Sequence, residues 1–130
     1  MKINAPVSSV SEVEMLLHFG DDELYCGVTP PAWETRYGDQ WWANRRSPLQ
    51  ANLPAWGDLL QIVEAAHRAG VKVNTTLNAA FYPRAGLRCL VKLAQKLVAE
   101  AQVDGLIVSD FNLLQQLSCE QLPVRLHLSS

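Results

Sequence analysis

The stretch VKVNTTLN, residues 71–78, decides how the rest of the chain is read. Val71, Val73, Thr75 and Leu77 fall on one side of an extended segment, and Lys72, Asn74, Thr76 and Asn78 fall on the other. That is the period of a strand whose two faces meet different surroundings. Before it, AWGDLLQIVEAAHRAG (55–70) reads as a helix stopped by a glycine. After it, AGLRCLVKLAQKLVAEA (85–101) places Leu87, Leu90, Val91, Ala94, Leu97, Val98 and Ala101 on one stripe of a helix, a face made for a sheet. The same alternation continues outward. KINAPV (2–7) and ELYCGV (23–28) read as strands on either side of a helix SSVSEVEMLLHFG (8–20) with a serine N-cap. GLIVSD (105–110) is a continuous apolar run of strand length, FNLLQQL (111–117) a short helix, and PVRLHLSS (123–130) a last strand. In that strand Val124, Leu126 and Leu128 alternate with Arg125, His127 and Ser129. The stretch from about 29 to 54 reads as irregular.

An order of β-α-β-α-β-α-β-α-β calls for a parallel sheet with right-handed crossovers, in one α/β domain over residues 1–130. Two architectures accept it. An open five-stranded doubly wound sheet covers both faces with helices, which disfavours a polar side. A (βα)8 barrel lets one face line an interior whose rim is polar, and needs about 250 residues, so this chain would be its first half. The polar faces of 71–78 and 123–130 favour the barrel, with the half-uncovered, wetted sheet as the plainer account. On the barrel reading PVRLHLSS is the fifth strand of a barrel whose later strands lie outside this chain.

The composition bounds the function. With 130 residues, 48% apolar, 18% charged and a net charge of -2, the chain matches ordinary globular domains and carries no basic field for nucleic acid. No apolar run approaches the roughly 18 residues of a membrane span, and the start lacks a signal-peptide core, so a cytoplasmic protein without membrane contact is expected. Cys26, Cys89 and Cys119 are widely spaced with no CxxC pair, and are expected to be ordinary thiols rather than metal ligands.

In parallel α/β proteins chemistry gathers at the carboxyl ends of strands, which singles out Asn78, Asp110 and Ser129. Asp110 would orient a base, bind a cation, or cap the helix that follows it. Asn78 would donate to an oxyanion or hold its turn. His127, the one histidine on a strand, would act as acid/base or metal ligand, or be a satisfied core histidine. His18 and His67 sit near helix ends in structural positions. The stretch 29–56 holds Trp33, Trp41, Trp42 and Trp56 with Arg36, Tyr37, Arg45 and Arg46. Such a loop would clamp a base or peptide, or simply pack as a lid over the barrel mouth or an interface.

The strand ends INAPVSSVSEVE, DDELYCGV, AAHRAGVKVNTTLNA, VDGLIVSDFNLL and VRLHLSS together resemble the collagenase-like peptidase family, peptidases of unassigned catalytic type. The matching residues are Ala5 and Pro6, Tyr25 and Gly27, His67 with Gly70 and Asn78, Asp110 with Leu113 and Leu114, and His127 with Ser129. The loop departs, with Arg46 followed by Asn52 and Leu53 where the family has Arg and Asn-Phe at slightly different spacing. The resemblance implies the first half of a barrel and a peptidase, with Asp110, His127 and Asn78 as catalytic candidates and Tyr25, Arg46, Asn74 and Ser129 contacting substrate. Relatives carry a four-cysteine iron–sulfur cluster in the other half, for hydroxylating tRNA or rRNA bases or ubiquinone precursors. The three cysteines here do not match those positions, so no cofactor is expected in this chain, and a cluster would require the other half. The implied substrate is a peptide or an RNA. An alternative is a non-catalytic half-barrel that pairs as a homodimer or docks on a complementary half.

Overall fold

The computed structural model describes residues 3–20, 22–37, 43–45 and 52–129. Five strands, β1 (Asn4–Pro6), β2 (Glu23–Gly27), β3 (Lys72–Leu77), β4 (Gly105–Val108) and β5 (Arg125–Leu128), form one sheet in the order β1-β2-β3-β4-β5. Every pairing is parallel. This sequential order separates the two architectures. A doubly wound sheet reverses direction at a switch point, whereas strands added always to the same edge by crossovers of one hand leave all helices on one face. The fold is the first half of a (βα) barrel.

The helices confirm the single layer. α1 (Val10–His18) packs on α3 (Trp56–Arg68), and α4 (Leu87–Lys96) packs on α5 (Phe111–Glu120). Leu24 and Cys26 of β2, Val73 and Leu77 of β3, and Leu106 and Val108 of β4 point toward this layer, where Leu59, Ile62, Leu90, Leu97, Leu113 and Leu117 complete the core. The alternation in 71–78 is therefore a true division of faces, although Asn74 and Thr76 on the far side are buried as well.

Several local expectations change. Within the stretch read as irregular, Pro31–Tyr37 forms a helix, α2. Pro31 suits the first position, because its fixed φ is helical and its missing N–H would have had no partner there. The drive is tertiary. Trp33 is fully buried, with its ring 4.6 Å from that of Tyr37 and edge-on to Tyr82 at 5.7 Å. Gly86 admits the indole, since a Cβ there would stand 2.6 Å from the Trp33 ring. Trp56 is half-buried beneath the Lys96 ammonium at 4.3 Å, while Trp41, Trp42 and Arg46 lie outside the described residues. Ser9 occupies the N-cap of α1 without capping it; instead the Glu12 carboxylate accepts from the N–H and hydroxyl of Ser8 at 3.1 and 3.0 Å. α4 continues through a π-helical turn, Leu97–Ala101, and both it and α5 stop at left-handed glutamines, Gln102 and Gln121, where α1 and α3 use Gly20 and Gly70. Cys26 is buried and Cys89 half-buried, but Cys119 is exposed. No helix among the described residues is long and apolar enough to cross a membrane.

One carboxylate gathers the amino-terminal end of the sheet. Asp104 Oδ2 pairs with His67 Nε2 at 2.7 Å and accepts the Val73 N–H at 2.8 Å, while the Asp104 main chain bonds to Val73 and Arg125. The end of α3 and the starts of β3, β4 and β5 thus meet at one residue. Replacing Asp104 by Ala leaves the Val73 amide without its side-chain acceptor, and is expected to lower stability by about 1–3 kcal/mol in urea titrations. Asp104→Asn, which keeps one acceptor oxygen, is expected to lose less.

Candidate functional site

Two tiers of polar residues stand on the face of the sheet that the helices leave uncovered. The upper tier lies at the carboxyl ends of the strands. The short segment Ala43–Arg45 is held there from below: Tyr82, buried among Trp33 and its neighbours, donates its hydroxyl to the Ala43 carbonyl and accepts from the Ala79 N–H at 3.1 Å. Burial and the nearby Asp110 carboxylate keep that phenol neutral. Asn52 returns the chain to the end of β2, bridging Gly27, while its side chain bonds to Asn44 at 2.6 Å and to Thr29. The segment so fixed sends Arg45 across the strand ends. The Arg45 N–H donates to Asn78 Oδ1 at 3.1 Å, and its guanidinium donates to Ser109 Oγ at 3.2 Å.

Beneath Arg45 lies a cavity of about 460 Å³, lined by Ser8, Glu12, Tyr25, Asn44, Thr76 and Asn78 among others. Arg45 has no carboxylate partner among the described residues, since the Glu12 oxygens serve Ser8. Asn44 is 2% exposed, and its Oδ1 has no partner among the described residues. A cavity with a cation, an unsatisfied acceptor and several hydroxyl or amide donors suits a ligand that both gives and receives hydrogen bonds.

The lower tier lies nearer the amino-terminal ends. Glu23, 5% exposed, accepts from Asn74 Nδ2 at 3.5 Å and faces the Arg125 guanidinium at 3.8 Å. Gly105, paired between Asn74 and Arg125, makes room above itself. A Cβ at this position would collide with Asn74 Oδ1 and stand 3.0 Å from His127 Nε2, so both polar atoms converge on the same small space. His127 Nε2 is buried without a hydrogen-bond partner among the described residues.

The residues singled out from the sequence are therefore distributed over both tiers. Tyr25 and Asn78 line the upper cavity, and Asn74 and His127 meet over Gly105. Asp110 is 4% exposed with both oxygens engaged: Oδ1 accepts the Leu113 N–H at 2.9 Å, as a cap of α5, and Oδ2 accepts the Tyr82 N–H at 3.1 Å. Ser129 follows β5 and bonds through its N–H to Val108. Arg46 lies outside the described residues, and its neighbour Arg45 occupies the cavity. Sequence reasoning also passed over Glu23, Asn44, Ser109 and Gly105. A glycine opening an otherwise apolar strand was the signal for the last of these.

The cysteines stand apart on β2, α4 and α5 in three different environments, so the described residues hold no cluster-binding set. Burial pushes the Cys26 thiol up to about 12 and keeps it neutral at physiological pH, and burial also raises Cys89 against the opposing pull of Lys92 and Arg36.

Comparison with known proteins agrees with this frame. Among solved structures, the U32 peptidase Mk0906 superposes with a TM-score of 0.70 at 18% identity, over 99% of this chain and 49% of that one. The chain thus spans about half the length of that protein. No curated protein matches it. The family model for peptidase family U32 matches residues 8–130, which is nearly the whole sequence. With five strands in barrel order and a match of that extent, the chain belongs to peptidase family U32.

Proposed function

We propose that this half-barrel is the substrate-gripping part of a peptide-hydrolysing protein, with a peptide lying across the carboxyl ends of β1 to β4. The observation that carries this reading is Arg45, tied at its backbone to Asn78 and at its guanidinium to Ser109, and free of any carboxylate among the described residues. A peptide carbonyl or carboxylate accepts from such a fixed fork, and charge-assisted bonds of this kind are the strong ones. Asn44 Oδ1 supplies an acceptor for a peptide N–H, and Tyr25 and Asn78 supply side chains that donate. Family membership supports peptide as the substrate class.

In hydrolysis a water adds to the carbonyl carbon, the amide C–N bond breaks, and a proton moves from the water to the leaving amine. His127 is the group we assign to hold that proton, through the Nε2 that has no partner among the described residues. In the sheet register His127 is level with Ile107, and Ile107 with Thr76 of the cavity wall. Two strand spacings put it about 10 Å along the sheet, within the span of a short bound peptide. Ser129 and Asp110 lie beyond the carboxyl ends of the same two strands, Ser129 as a further contact for substrate and Asp110 as the anchor of the loop that carries Tyr82.

A second reading rests on the edges. Among the described strands β1 and β5 each pair on one side only, and Leu128 on β5 is 57% exposed. Open parallel edges invite strand pairing, so a complementary half, from a second copy or another chain, would close the sheet and cover both tiers. A particle of twice the chain mass by light scattering is expected on this reading; a strict monomer overturns the homodimer.

Quenched-fluorescence peptides test the primary reading. Arg45→Ala is expected to weaken peptide binding about tenfold, equivalent to about 1.4 kcal/mol, with Arg45→Lys recovering part of it. Unchanged binding by Arg45→Ala, or no binding of any peptide by the unaltered chain, sinks the reading. Gly105→Ala pushes a methyl into Asn74 and toward His127. It is expected to lower stability by about 1–3 kcal/mol in thermal or urea unfolding, as overpacking does, and to reduce turnover more than peptide affinity.

A further inference from the structure

A second cavity, on the helix side of the molecule, shares no lining residue with the one under Arg45. It measures about 740 Å³ and runs between α2, the start of α3 and α4. Val28, Pro30, Leu53, Pro54 and Leu93 give it an apolar floor. Arg36, Arg88, Lys92 and Lys96 stand around it, all four exposed, and no acidic side chain lines it.

The charge arrangement is not that of an ordinary solvated surface. The chain as a whole carries a net charge of -2, yet four of its 11 Lys and Arg residues face this one groove. Arg88, Lys92 and Lys96 are spaced four residues apart along one face of α4 and its continuation, where like charges repel one another. Arg88 and Lys92 have no carboxylate partner among the described residues, and Lys96 reaches Glu100 only at 3.9 Å. Arg36 approaches from α2 on the other side, and the Cys89 thiol between them feels both Arg36 and Lys92. An anion seated in the groove would relieve all of this repulsion at once.

The floor identifies the class of anion. A phosphate backbone gains nothing from proline and leucine walls, and the aromatic ring of the groove, Trp56, already has the Lys96 ammonium over one face, in the place a stacked base would take. A peptide that alternates carboxylates with apolar side chains satisfies both floor and rim. We propose that this groove docks an acidic, apolar-bearing peptide segment of a partner protein, with its apolar side chains on Pro30, Leu53 and Leu93 and its carboxylates on Arg88 and Lys92. The site is independent of the strand-end cavity and does not require that the chain hydrolyse peptides.

Fluorescence anisotropy with the full chain tests it, using a short dye-labelled peptide of alternating Glu and Leu, its Gln-for-Glu twin, and a single-stranded oligonucleotide as competitor. The Glu peptide is expected to bind more tightly than the twin and to weaken with salt. The double variant Arg88→Glu/Lys92→Glu, with both changes at exposed helix positions and its fold checked by circular dichroism, is expected to lose about tenfold or more in affinity. The milder Arg88→Ala/Lys92→Ala is expected to lose less. Equal binding of the Gln twin, displacement by the oligonucleotide, or full affinity in the charge-reversed variant would each overturn the proposal.

Discussion

The structure depends on one constraint: the strands are added to a single edge in sequence order, so the helices all cover the same face. Most of the apolar strand residues turn toward that layer, where Leu24, Val73, Leu77, Leu106 and Val108 meet the helices, with Ile107 the exception on the far face. The opposite face has no helices, and polar groups brought there must find partners on neighbouring strands or in whatever binds. Glu23, Asn74 and Arg125 find one another across β2, β3 and β5. His127 Nε2 and Asn44 Oδ1 find nothing among the described residues. These two unsatisfied atoms and the Arg45 guanidinium thus fall on the uncovered face, where a ligand reaches them.

The two ends of the sheet differ in what holds them. At the amino-terminal end Asp104 binds His67, Val73 and Arg125 through side chain and main chain, a dense knot that fixes the starts of three strands. At the carboxyl end the fixing is indirect. Trp33 and Gly86 seat Tyr82, Tyr82 holds Ala43, and Ala43 brings Arg45 over the cavity. Among the described residues Trp33, Tyr37 and Tyr82 act as footing for the site rather than as its contact surface. Such separation of a rigid base from a loop-built rim is the general plan of parallel barrels.

Much of this was readable from the chain. The alternation of 71–78 and 123–130 distinguished a sheet with one polar face from a doubly covered one, because period two is set by backbone geometry and survives any context. The helix stripe of 87–101 was equally plain, although its final π-helical turn was not, since that depends on local hydrogen-bond register. α2 was hidden, because seven residues opening on proline carry too short a pattern and are stabilised by the burial of Trp33 against Tyr82, distant in sequence. Arg45 was not singled out as a substrate contact for a related reason: its place over the cavity is set by the anchoring of Ala43 and Asn52, a tertiary fact. Asp110 carried both readings openly; one of its oxygens caps α5 and the other holds the Tyr82 N–H.

The sequential strand order also bears on how the chain comes to be folded. Each strand pairs with the one made just before it, so no strand must wait, exposed, for a distant partner. Ordering of this kind keeps contacts local and shortens the loops that must close, which favours fast assembly. A chain emerging from the ribosome can add each βα unit to a growing edge as it appears, so that apart from the outer edge of β1 only the newest strand is open to mispairing at any moment.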